Sequence, residues 1–140
     1  MGPRTKTLFL LLVGVQCAHS IEEYLTHLYE VLAPARYISG LFSENLALGF
    51  VAFNTAVIAL GIGCYFGLIR SARGAANIVA WIWVVVELAN SVGHIFLALN
   101  AGGYFPGLVT GVALLFVSAY LARSLRSDKE RREQGTRSVA

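Results

Sequence analysis

Leu8-Phe-Leu-Leu-Leu-Val-Gly-Val15 leads within four residues to His19-Ser-Ile-Glu22-Glu23. The first stretch is wholly apolar, and the second carries a histidine and two carboxylates. Read alone, residues 7–18, with Arg4 and Lys6 ahead of them, imitate a secretory signal peptide. Carried on through the polar group to residue 33, just before Pro34, the same stretch is a helix longer than the about 20 residues a bilayer requires. The continuous helix is favoured, because three further apolar spans follow and its polar residues share one face. Charges at that depth cost roughly 2.5–3.5 kcal/mol each on insertion scales, so they persist only when paired, protonated or bound to a cation.

The composition supports a membrane chain. Of 140 residues, 56% are hydrophobic and 14% charged, against about 25% charged in soluble domains; mean hydropathy is +0.65. The charges gather at the ends and in short connectors. Spans are predicted at about residues 7–33, 45–69, 75–99 and 106–125. A short amino-terminal segment (residues 1–6) precedes them, and a polar, basic, frayed tail (residues 126–140) follows. Residues 35–44 read as a connector, Pro106 as a helix start, and Trp81 and Trp83 as interfacial anchors. Cys17 and Cys64 lie in apolar segments with no CxxC pairing.

Basic residues set the orientation. Arg4 and Lys6, Arg70 and Arg73, and the tail fall on one side of a four-span topology, whereas the other side has Arg36 balanced by Glu44. The expected fold is an all-α, four-helix transmembrane bundle in the cell membrane, with both termini cytoplasmic. The partner of this surface is the lipid bilayer. The basic tail has no aromatic interleaving, so no nucleic-acid partner is expected.

A second polar group, Glu87, Asn90, Ser91 and His94, interrupts the third span. At about 100° per residue it occupies an arc roughly 100° wide, as do His19, Glu22, Glu23, Thr26 and Glu30 on the first helix. Both groups begin about 18 Å from the cytoplasmic ends of their helices. Polar groups at membrane depth face the bundle interior, so the two arcs are expected to meet. Imidazole and carboxylate together suit Zn, Fe or Mn. His19, Glu22, Glu23, Glu87 and His94 are therefore candidate ligands of a divalent metal, with Glu22, Glu23 and Glu87 as candidate catalytic carboxylates and Asn90 and Tyr104 supporting them. Such a centre would act on an apolar or lipid-like small molecule. Two other readings stay open: a metal-free acid/base enzyme of isomerase type, and a structural cluster in a non-catalytic interaction protein. His27 reads as interfacial, Glu30 as solvated, and Asn54 and Thr55 as packing or supporting groups.

His19-Ser-Ile-Glu22-Glu23, the later His94, and Tyr104-Phe-Pro106-Gly107 occur in the order found in HXXEE-domain proteins, which this chain resembles. The resemblance covers residues 19–107. It implies a small integral membrane domain of uncharacterised function, and so points to the site without naming a reaction.

Overall fold

Each apolar stretch becomes a long helix in the computed structural model, which describes residues 1–137. Helix α1 (Pro3–Leu25) opens on a proline, whose missing N–H is one of the donors a helix start leaves unpaired anyway. Two short helices follow, α2 (Leu28–Val31) and α3 (Ala33–Phe42). The Asn45 side chain accepts from the Leu48 N–H to start α4 (Leu46–Cys64), which widens into a π turn over Tyr65–Ile69. Helix α5 (Ala76–Ala101) stops at Gly102, where φ is +66, and α6 runs from Leu108 to Arg137. Among the described residues there is no strand. Four helices, Pro3–Leu25, Leu46–Ile69, Ala76–Ala101 and Leu108–Gly135, are long and apolar enough to cross a membrane, which suggests a multi-pass membrane protein.

Helix α6 packs between α1 and α5, and α4 lies against the other side of α1. Phe9, Leu12 and Val13 of α1, Val84 of α5 and Leu114, Leu121 and Leu125 of α6 fill the centre. In lipid, which is as apolar as these side chains, close fit rather than escape from water would hold such helices together. Trp83 is part of that fit and not an anchor at the lipid interface. It is buried, its ring lies edge-on to Phe9 at 6.0 Å, and a Cβ at Gly61 would come within 3.0 Å of it.

The first helix does not reach residue 33. Thr26 gives both its N–H and its hydroxyl to the Glu22 carbonyl, at 3.0 and 2.6 Å, and His27 turns left-handed at φ 57. Pro34 opens α3 instead of closing α1, and the expected connector of residues 35–44 is largely this helix. It folds back so tightly that a Cβ on Gly49 of α4 would lie 2.0 Å from the Ser39 carbonyl oxygen. His27 and Glu30 point outward, as their exposure shows. The fourth span begins at Leu108 rather than Pro106, because Gly107 takes φ +84 between them. It also continues through the expected frayed tail as far as residue 137; residues 138–140 lie outside the described part. Asp128 and the stacking of Arg126 over Trp81 at 5.8 Å hold that extension to the bundle.

The basic clusters share one end. Gly2 N–H and the Thr5 hydroxyl donate to Asp128 at 2.6 and 2.8 Å, and Lys6 Nζ donates to the Arg70 carbonyl at 2.8 Å. The two polar groups lie towards the opposite end, where α1 finishes and α6 starts.

Candidate metal centre

His19 and Glu23 are one helical turn and a fraction apart, so both point the same way from α1. His94, on α5, meets them. Glu23 Oε1 lies 3.3 Å from His19 Nε2 and 3.0 Å from His94 Nε2, and the two imidazole rings stand edge to face at 4.7 Å. All three side chains are buried, and one donor atom from each lies within 4.8 Å of the others. Ligand bonds of about 2.0–2.2 Å place neighbouring donors about 3.0 Å apart in an octahedron and about 3.4 Å apart in a tetrahedron. The two spacings to Glu23 Oε1 fall near these values.

The far nitrogens of both rings fix which way each ring is protonated. His94 Nδ1 is 2.6 Å from the Pro106 carbonyl, which can only accept, so this nitrogen carries hydrogen. His19 Nδ1 is 2.8 Å from Thr110 Oγ1. The Thr110 hydroxyl spends its one hydrogen on Glu22 Oε2, so His19 Nδ1 is the donor. Both rings therefore turn Nε2 towards Glu23. His19 Nε2 is a buried nitrogen with no hydrogen-bond partner among the described residues. Lone pairs that face one another repel, and added protons or a cation between them relieve this. Nδ1–H donated to a carbonyl or to a carboxylate relay is how metal-binding histidines are commonly held.

Glu22 goes elsewhere. Helical spacing sets it about 100° from Glu23, and this turns it onto the start of α6. Its carboxylate accepts from the backbone N–H groups of Val109 at 3.1 Å and Thr110 at 2.7 Å, from the Thr110 hydroxyl, and from the Tyr104 hydroxyl at 2.7 Å. A helix start leaves such N–H groups unpaired and carries partial positive charge; Glu22 supplies both needs from a neighbouring helix. Partial burial, and then the Glu22 carboxylate beside it, push the Tyr104 phenol above its ordinary range, so it remains a donor at neutral pH.

Glu87 is buried too, but it lines a cavity of about 330 Å³ beside the triad, together with Glu23, Asn90 and His94. Of the five expected ligands, the structure thus gathers His19, Glu23 and His94, turns Glu22 against the start of α6, and sets Glu87 with Asn90 in the wall of the adjoining cavity. Tyr104 reaches Glu22, by the hydroxyl it donates.

The sequence reading missed the contribution of α6, which has no ionisable residue in its apolar part. Thr110 and the Pro106 carbonyl orient the two imidazoles. Gly107 lets them approach: a Cβ there would lie 2.6 Å from His94 Cε1 and 2.9 Å from His19 Cε1. A Cβ at Gly111, one turn on, would lie 3.5 Å from His94 Cβ and 3.7 Å from His19 Cε1. The signal available was the spacing Gly107-x-x-Thr110-Gly111 directly after the Tyr-x-Pro-Gly motif.

Four helices long and apolar enough to cross a membrane surround a buried His–Glu group, which suggests a small helical membrane domain. The chain belongs to the HXXEE family: residues 8–122 match the family described as protein of unknown function with HXXEE motif. The match contains the triad, Glu22, Tyr104 and the α6 residues that hold them. No curated protein and no solved structure matches the chain.

Proposed function

We propose that His19, Glu23 and His94 bind one divalent transition-metal ion, and that the bundle is a membrane metalloprotein acting on an apolar, lipid-like substrate. The convergence of both Nε2 atoms on Glu23 Oε1, with both Nδ1 atoms already committed as donors, supports this most strongly. Two neutral imidazoles and a carboxylate form a donor set suited to Zn, Fe or Mn, and three protein ligands leave coordination positions for a reactant. A bound ion would supply Lewis acidity or, for Fe and Mn, redox capacity.

The chain's own residues do the rest. Pro106 and Thr110 hold the rings in one tautomer. Glu22 fixes Thr110. Glu87 and Asn90 present polar groups to whatever occupies the cavity, and the apolar walls keep water out. The basic end faces the cytoplasm by the distribution of Arg and Lys, which puts the site in the outer half of a cell membrane, open to molecules dissolved in lipid.

Metal analysis of the purified full chain, after growth with Zn, Fe and Mn supplied, tests this reading. One equivalent of metal is expected, retained in Glu87→Gln and lost in His19→Ala and His94→Ala. Metal-free protein with an intact helical spectrum overturns it. Metal-independent turnover of a lipid, abolished in Glu87→Gln, would instead favour acid/base chemistry at the buried carboxyl.

A further inference from the structure

The basic end of the bundle holds a second cleft, at the opposite end from the His–Glu group. It lies between the first turn of α1 and the charged part of α6, with a volume of about 130 Å³, and Arg4, Arg123 and Arg131 all line it. Asp128 is the one acid in its wall, and its Oδ2 already accepts from the Gly2 N–H and the Thr5 hydroxyl. These two bonds fix the start of α1 against α6, and so bring Arg4 to the two arginines of α6. Thr5 has spent its hydrogen on Asp128, so Ser124 spends its own on Thr5, at 2.6 Å. The guanidinium groups of Arg4 and Arg123, and the hydroxyl of Ser127 in the same wall, have no such partner among the described residues. Three arginines against one aspartate leave a surplus of positive charge, with hydrogen-bond donors uncommitted.

The face of α6 that carries these groups continues into the apolar part of the helix. At about 100° per residue, Val112, Phe116, Tyr120, Arg123, Ser127 and Arg131 fall within one arc about 100° wide. Val112, Phe116 and Tyr120 are exposed, at 37%, 60% and 55%, so an uncovered apolar stripe runs up to the basic cleft. The change of character falls at the depth of a membrane surface. At about 1.5 Å per residue, the roughly 30 Å of a hydrocarbon core ends about twenty residues from Leu108, beside Ser127. A tyrosine at the edge of that core, with arginines around and beyond it, is the arrangement that meets lipid head groups.

We propose that this cleft binds the phosphate of an anionic glycerophospholipid. Arg4, Arg123 and Arg131 donate to the phosphate oxygens, Ser127 adds its hydroxyl, and an acyl chain lies along Phe116 and Val112. Guanidinium suits this anion because its N–H groups pair with phosphate oxygens two at a time. A space of about 130 Å³ equals the share of about four waters at roughly 30 Å³ each, which fits a phosphate with little attached and not a sugar head group. Phosphatidylcholine carries the same phosphate beside a cation of its own, which three arginines repel. A soluble phosphate has the charge without the chain and leaves the stripe bare. The site is independent of the metal centre and requires only that the helices lie in a membrane.

Native mass spectrometry of the full chain, released from neutral detergent micelles and titrated with dioleoyl phosphatidic acid or dioleoyl phosphatidylcholine, tests the assignment. One phosphatidic acid per chain is expected, bound about tenfold more tightly than phosphatidylcholine, the effect of one charge-assisted contact. Arg4→Gln combined with Arg123→Gln should weaken phosphatidic acid binding about thirtyfold, two basic contacts at about fivefold each. Phosphatidylcholine should stay within about threefold in that variant. Arg73→Gln combined with Lys129→Gln removes the same charge outside the cleft and should leave both lipids within about threefold. All four side chains are exposed, and circular dichroism checks that both variants keep their helical content. Equal affinity for the two lipids overturns the assignment. So does an equal effect of the two double variants, which would mark general surface charge. Release of bound phosphatidic acid by millimolar inorganic phosphate overturns it as well, because the ligand would then be a soluble phosphate.

Discussion

Adjacent acids can have unrelated duties. Glu22 and Glu23 differ by one position, yet one caps α6 and the other meets two imidazoles. The sequence showed that His19 and Glu23 share a face and that His94 belongs to a second polar arc. It could not show which neighbour each face would meet, because that depends on α6 lying between α1 and α5. It was equally silent on the Pro106 carbonyl, since every residue has a carbonyl and only the fold selects one. Gly107 carries a sharp expectation at this scale. Its φ of +84 costs a non-glycine residue roughly 1–2 kcal/mol, and its missing Cβ is space that both imidazoles use. Gly107→Ala should therefore reduce metal content by at least about tenfold, the effect expected of losing one metal-orienting contact. Gly63→Ala, where no atom lies within 4 Å of the added carbon, should leave it unchanged. Metal analysis of the two purified variants, with helical content checked by circular dichroism, decides it.

Among the elements, α6 reads as a plain apolar span and behaves as the scaffold of the site. Its start is held by a carboxylate from α1, so its stability depends on a residue far away in the chain. Glu22→Gln keeps the shape, removes the charge and sets an amide NH₂ against backbone N–H donors. A loss of about 2–4 kcal/mol in unfolding free energy is expected, measured by denaturant titration in micelles. Hydrogen exchange at Val109 and Thr110 should quicken more than at Leu121 and Leu125 in the middle of the helix. Uniform exchange along α6 would show that Glu22 does not hold its start. The break after α1 was hidden for a different reason. Thr26 and His27 fit a helical pattern by residue type, and only the return of the chain through α3 onto α4 requires a left-handed residue there.

For the whole molecule, the number of membrane-length helices and the grouping of basic residues at one end follow directly from composition and spacing, because hydrocarbon tolerates few alternatives to a satisfied helix. Sidedness is a further expectation. With Cys17 and Cys64 replaced by alanine, a single cysteine at Arg73 should react with an impermeant maleimide only after the cell is opened, and one at Leu41 should react in intact cells. The reverse pattern would invert the bundle. One feature of the fold reaches beyond equilibrium. The carboxylate of Glu22 clasps the beginning of the last helix, and the carboxylate of Asp128 on that last helix clasps the beginning of the first. In synthesis from the amino terminus, Glu22 therefore lacks Tyr104, Val109 and Thr110 as partners until the last helix is made, and the contacts around the His–Glu group are completed only then. An unfinished chain thus carries an acid without the donors it has in the completed protein, a difference by which quality-control proteases could tell the two apart.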